Sequence, residues 1–243
     1  MRGISVITRI NRFNELCTME KDYVLIEGIP GSGKSSLLNK LAQDDRIQKN
    51  FKLISEPVDS FQNFNGVNWL QNLYENPKKY AFIAQNVFLD IANDHYLSQI
   101  SEHTKKLISD RSIYSGKIFT NALLASRFLS KEEFDYIEYR YSQLLPKSLP
   151  LGGNRLVYLS CKDVYFEDLI KRLCLDSKDR YETNMHNETL LKYYFARLQE
   201  YYENYIKQFR NMYGATAMIE IDSRLSESEV LKAAKDFILR ANL

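Results

Sequence analysis

The 243-residue sequence predicts one α/β domain, a five-stranded parallel sheet with helices on both faces. Two observations predict it. Five short apolar runs rich in β-branched residues are separated by long stretches of helical period. Within those runs apolar residues follow one another instead of alternating with polar ones, the pattern of strands covered on both sides. No repeat, low-complexity tract or linker divides the chain.

The expected strands are residues 23–27, 52–55, 106–109, 155–160 and 217–221. The first helix is expected over 34–43. Pro77 lies just before the stretch 80–98 and fits a helix start, because proline lacks the N–H that a first turn leaves unused. Residues 112–126 and 131–144 read as a helical pair, followed by a turn marked by Pro146, Pro150, Gly152 and Gly153. The stretch 187–213 is crowded with tyrosine, phenylalanine and leucine at near-helical spacing, which favours core packing over a cofactor box. Gly214 ends it, and 225–241 is an amphipathic closing helix. Residues 1–20 read as an N-terminal extension and 21–243 as the folded domain, with Met19 as an alternative start.

Lysine and arginine number 33 against 31 aspartates and glutamates, so no broad field points to a nucleic acid polymer or a membrane surface. No apolar run has the length of a membrane span. Cys17, Cys161 and Cys174 form no metal or redox spacing and read as reduced thiols of an intracellular protein. A cytoplasmic location is expected. Residues 1–12, with three arginines and no acid, resemble an organelle presequence and leave a mitochondrial alternative.

Between the first strand and first helix stands Gly28-Ile29-Pro30-Gly31-Ser32-Gly33-Lys34-Ser35, a G-x-x-x-x-G-K-S loop. Its glycines let the backbone curl so that N–H groups converge on phosphate oxygens, and the helix N-terminus adds partial positive charge. Lys34 is expected on the β- and γ-phosphates of ATP, Ser35 on Mg²⁺, and Ser36 at the start of the helix beside them. The fold expected is therefore of the P-loop NTPase type. The loop is silent about the acceptor.

Two further signals lie at strand ends, where open α/β sheets place their crevice. Glu56, directly after the second strand, is placed to accept a proton from an attacking hydroxyl. Asp110-Arg111-Ser112 closes the third strand. Asp110 suits Mg²⁺, directly or through water, and Arg111 suits oxygens at a reacting phosphoryl group.

In this order and spacing, the P-loop, Glu56-Pro57-Val58, Asn65-Gly66-Val67-Asn68, the run from Leu73 to Tyr80, Gln85 and Asp110-Arg111-Ser112 resemble the deoxynucleoside kinase family. That family includes thymidine kinase 2-like, deoxycytidine kinase and insect multisubstrate enzymes. The resemblance implies that Glu56 is the base on the 5′-hydroxyl, with Arg111 beside it. It implies Gln85 on the base edge, Tyr74 on the sugar 3′-hydroxyl, and Phe88 on the pocket wall. Phe61 stands where the family commonly has tryptophan. Phe82 and Phe88, three residues either side of Gln85, are expected to share its helical face. Phe119 takes the base-stacking position if one residue is missing before it; otherwise Thr120 does.

The resemblance also implies an arginine/lysine lid closing over the triphosphate, here Arg172, Lys178 and Arg180, with Glu182 as the acid that joins Tyr74 at the 3′-hydroxyl. Family members favouring purines or deoxycytidine tend to carry an arginine and an aspartate where this chain has Ala92 and Gly116. The expected substrates are accordingly pyrimidine deoxynucleosides, thymidine or deoxycytidine. A homodimer packed through helices of the 80–144 region is expected from the family. The nearest rival is a thymidylate kinase, which shares the loop and the strand-end acids. A GTPase is disfavoured, because Asn39-Lys40-Leu41-Ala42 lacks the final aspartate of N-K-x-D.

Overall fold

A computed structural model of the chain describes residues 23–101, 106–145, 153–161, 168–169 and 188–240. Among the described residues the sheet has five strands: β1 (Tyr23–Glu27), β2 (Phe51–Ile54), β3 (Lys106–Asp110), β4 (Arg155–Ser160) and β5 (Met218–Asp222). Their order is β2-β3-β1-β4-β5, and every neighbouring pair is parallel. The expected P-loop-type sheet is therefore present. All five strands match the apolar runs to within one residue at either end.

The helices are α1 (Lys34–Leu41), α2 (Asp45–Asn50), α3 (Val58–Gln62), α4 (Trp69–Glu75), α5 (Pro77–Ser101), α6 (Ile113–Ala125), α7 (Lys131–Leu144), α8 (Glu188–Tyr213) and α9 (Glu227–Arg240). Three of them escaped the sequence reading. Helices α2, α3 and α4 have six, five and seven residues, too few for a hydrophobic period to register. The sequence signs they do carry are caps. Asp44 accepts from Arg46 and Ile47 N–H groups, and Asn68 accepts from Gln71 N–H. Helix α5 begins at Pro77 itself, earlier than the periodic stretch suggested.

Successive strand residues face opposite ways, so β1 divides the core in two. Val24 and Ile26 join Leu37, Leu38 and Leu41 of α1 and Ala234 and Ile238 of α9 in one apolar layer. Tyr23 and Leu25 join the other layer, with α5, α6 and α8. Helix α8 carries Leu191, Tyr194, Phe195, Leu198, Tyr202, Tyr205, Ile206 and Phe209 at spacings of three and four, all buried. Core packing was the expected role of that stretch, and Gly214 (φ 85°) ends it. Arg155 is held across the opposite layer, donating to the Phe237 and Ile238 carbonyls at the end of α9 (2.6 and 3.1 Å).

The expected extension at residues 1–20, Cys17 and Cys174, and the lid residues Arg172, Lys178, Arg180 and Glu182 lie outside the described residues. Among the described residues, no helix is long and apolar enough to cross a membrane.

Candidate active site

The carboxyl ends of β1, β2 and β3 open into a cavity of about 670 Å³. Its wall runs from the P-loop past Glu56 and Arg111 to Gln85 and Tyr141. One continuous space thus joins the phosphate cradle to the polar groups of α5, α6 and α7.

The P-loop begins where β1 stops. Gly28, Gly31 and Gly33 adopt φ values of 155°, 80° and 92°, and a side chain at Gly28 would meet Ser32 Oγ at 2.6 Å and the Leu159 carbonyl oxygen at 2.8 Å. Lys34 is buried, and its Nζ donates to the Ile29 carbonyl at the turn of the loop (3.1 Å). Burial, and next the Arg111 charge, bring the Lys34 ammonium down to about 8. Pro30, Gly31, Gly33, Lys34, Ser35 and Ser36 all face the cavity. Ser36 also lies 3.4 Å from Glu227 of α9.

Ser35 and Asp110 meet, the Ser35 hydroxyl donating to Asp110 Oδ2 at 2.7 Å. The other carboxylate oxygen of Asp110 is buried and has no hydrogen-bond partner among the described residues. A hydroxyl and a half-satisfied carboxylate fit a hard cation that keeps part of its water shell and arrives with a polyphosphate. Consistent with so sparse a donor set, the described residues hold no group of three or more His, Cys, Asp or Glu side chains placed for a metal.

Glu56 and Arg111 form an ion pair, Arg111 Nε donating to Glu56 Oε2 at 3.0 Å. Burial raises the Glu56 carboxyl above its ordinary value, against the pull of Arg111. Its side chain keeps 25% exposure toward the cavity, so water there offsets part of that rise. Arg111 is the less ordinary partner. It takes φ 67°, rare for a long side chain, and its N–H continues the sheet ladder to the Ile26 carbonyl (3.1 Å). Burial opposes its charge, but Glu56, Tyr202 and Glu27 outweigh that and hold the guanidinium well above its ordinary value.

Beyond this pair the cavity is walled by rings and an amide. Phe61 packs on Phe88 with centroids 4.7 Å apart, and Tyr74 is buried along the same wall. Gln85 is buried with its Oε1 accepting from Thr120 Oγ1 at 3.1 Å. Phe119, not Thr120, faces the cavity, with the Arg111 guanidinium 4.8 Å over its ring. Phe82 departs from expectation. Six residues along an α-helix turn the direction by about 600°, so Phe82 and Phe88 point roughly 120° apart. The Phe82 ring turns out of the cavity onto Tyr136 of α7, 5.8 Å between centroids. Gly116 does line the space, and a side chain there would collide with the Tyr141 hydroxyl at 2.0 Å.

Four participants were missed from sequence. Glu27, the last residue of β1, is completely buried and accepts from the Ser115 hydroxyl and from Tyr202 Oη (3.1 Å). Burial pushes its carboxyl up to about 7, against Arg111. Tyr141 lines the wall. The signal that could have found Glu27 is an acid ending an otherwise apolar strand; nothing local marks Tyr202, Ser115 or Tyr141.

The deoxynucleoside kinase sequence model matches residues 24–239. A deoxyguanosine kinase of Lactobacillus johnsonii is 30% identical over 76% of this chain and 77% of its own. A probable deoxycytidine kinase of fowlpox virus is 23% identical over 88% and 87% respectively. Among solved structures, a deoxyadenosine kinase from M. mycoides superimposes with a TM-score of 0.69 at 18% identity, covering 89% of this chain and 98% of that one.

Proposed function

The chain belongs to the deoxynucleoside kinase family and is a phosphoryl-transferring enzyme acting on nucleosides; from that premise we propose that it moves the γ-phosphoryl group of ATP onto the 5′-hydroxyl of a pyrimidine deoxynucleoside. The observation that carries the proposal is the single cavity. A triphosphate on Gly28–Ser36 would present its end to Glu56 and Arg111, and the same cavity continues past them to Gln85, Phe88 and Tyr141, where a nucleoside would lie.

In the proposed reaction Glu56 takes the 5′-hydroxyl proton as that oxygen attacks the γ-phosphorus. The O5′–P bond forms in line as the bond to the bridging β–γ oxygen breaks, leaving ADP. Lys34 and Arg111 balance the charge that spreads over the transferring group, and Arg172, Lys178 and Arg180 are proposed to cover it. Ser35 and Asp110 would hold a Mg²⁺ ion, which when bound neutralises β- and γ-phosphate charge. Tyr74 and Glu182 are proposed on the 3′-hydroxyl, and Gln85 on the base, its amide offering one donor and one acceptor edge.

The pyrimidine preference rests on Ala92 and Gly116. Neither supplies a charge to the cavity, and the Tyr141 hydroxyl fills the room beside Gly116. A homodimer through α5 and α7 and a cytoplasmic location, with residues 1–20 as an extension, complete the reading. The test is a panel of the four deoxynucleosides and thymidine monophosphate with ATP, scored by rate at equal concentration. Thymidine or deoxycytidine is expected to lead. Deoxyguanosine well ahead of thymidine would overturn the base preference, and thymidine monophosphate ahead of all four would replace the reading by a thymidylate kinase.

A further inference from the structure

We propose that Tyr202 is a positioning residue for phosphoryl transfer, which fixes the Arg111 guanidinium, and through it Glu56, by a directed chain of hydrogen bonds ending on Glu27. What Arg111 and Glu56 do rests on the function proposed above; how they are held does not.

An arginine side chain is long and rich in rotamers, so its planar fork must be gripped at more than one point to keep a single orientation. Arg111 is gripped at two. Nε donates to Glu56 Oε2 at 3.0 Å, and Nη1 donates to Tyr202 Oη at 2.5 Å. The Phe119 ring supports the guanidinium face at 4.8 Å. Having accepted from Arg111, Tyr202 has its own proton free, and donates it to Glu27 Oε2 at 3.1 Å. The other Glu27 oxygen accepts from Ser115, whose Oγ accepts the Ser112 N–H at 3.0 Å. Each donor and acceptor in this chain is used in one sense only, from Arg111 to Tyr202 to Glu27.

The carboxylate of Glu27 lies 4.0 Å from Arg111 Nη1, too far for a hydrogen bond and close enough to attract. The Tyr202 oxygen bridges them from one side, accepting from the guanidinium and donating to the carboxylate. Without it, the guanidinium would close on Glu27 and draw Nε away from Glu56, so one hydroxyl on α8 governs both groups at the end of β2 and β3. Period-2 alternation explains why Glu27 is available: it shares the face of Tyr23 and Leu25, toward α6 and α8. Tyr202, Glu27 and Arg111 are all buried, so water does not replace the missing bond.

The test is Tyr202→Phe in the full chain, assayed at pH 8 with ATP and the best deoxynucleoside. Loss of a hydrogen bond to a charged group should lower kcat about ten- to a hundredfold. Both KM values should stay within about threefold, with the number of nucleotide-binding sites per chain unchanged. The double variant Tyr202→Phe, Glu27→Gln should fall no further, because it removes the pull as well as the bridge. Independently of any acceptor, nitrogen-15 NMR should show hindered rotation of the Arg111 guanidinium, assigned by Arg111→Lys, in the natural chain and its release in Tyr202→Phe. An unchanged kcat with an unchanged guanidinium spectrum overturns the proposal. If the natural chain phosphorylates no deoxynucleoside, the functional reading fails instead, and the NMR comparison still decides the role of Tyr202. Should Tyr202→Phe not fold, Tyr202→Met removes the same hydroxyl with an unbranched, gap-filling side chain and is read by the same rate and spectrum, an unchanged result again overturning the proposal.

Discussion

If Glu56 is the base proposed above, turnover should depend most sharply on it; among the described residues it is the one acid that lines the cavity. Glu56→Gln keeps the size and the hydrogen bond to Arg111 Nε but cannot accept a proton. The expected loss is about 10²- to 10⁴-fold in kcat, with affinity for a non-hydrolysable ATP analogue unchanged in a binding titration. Glu27 makes a different prediction, in stability. Its folded carboxyl titrates near 7, above the ordinary 4.5. Between those values the folded chain holds a proton that the unfolded chain has released, so this group's stabilisation is full at low pH and is lost as pH rises through 7. Glu27→Gln cannot titrate. The melting temperature of the variant relative to the natural chain should therefore rise from pH 5 to pH 8, and a constant difference would exclude the raised carboxyl. At this scale the sequence showed the residues at or just past strand ends, Glu56, Asp110 and Arg111, since strand ends mark the crevice. Glu27 and Tyr202 stayed hidden because their partnership spans 175 residues of chain.

Among elements, the P-loop has the least tolerance. Gly28 cannot accept a methyl group without moving Ser32 or the backbone of β4 at Leu159, and a backbone atom in a central strand cannot give way. Gly28→Ala should weaken nucleotide affinity by at least about tenfold, measured by titration with an ADP analogue, while circular dichroism retains the natural helix and strand content. Gly33→Ala is the instructive comparison: among the described residues nothing lies within 4 Å of its new methyl group, so only the cost of φ 92° applies and the loss should be smaller. The loop was legible because strand, glycines, lysine and helix must occur in that order for backbone N–H groups to converge. The strands were legible because parallel strands buried on both faces cannot alternate with polar residues. Short helices were not, and neither was the direction of Phe82. Helix α5 contacts both the cavity and α7, so two apolar faces are present and spacing alone does not say which one a ring occupies.

For the whole molecule, the number of strands and the helices on both faces followed from the alternation of apolar runs with helical stretches, but the meeting of distant helices around Glu27 and the outward face of α5 and α7 followed only from the packed chain. That outward face carries the last prediction. Ile83 of α5 and Tyr136 and Tyr139 of α7 remain 45%, 52% and 63% exposed, while Phe82, next to Ile83, rests on Tyr136. Large apolar groups gathered on two packed helices are costly to leave in water, and a closed two-fold pairing of the same face on a second copy would cover them from both sides. Sedimentation equilibrium at micromolar concentration should give about twice the 28.5 kDa chain mass. The double substitution Ile83→Glu, Tyr139→Glu places like charges opposite one another across a two-fold contact, and should return the mass to one chain without disturbing the P-loop, since neither residue reaches the cavity. A natural chain that sediments as one copy would remove the dimer from the proposal and leave the chemistry of the cavity untouched, because every group proposed to act there comes from a single chain.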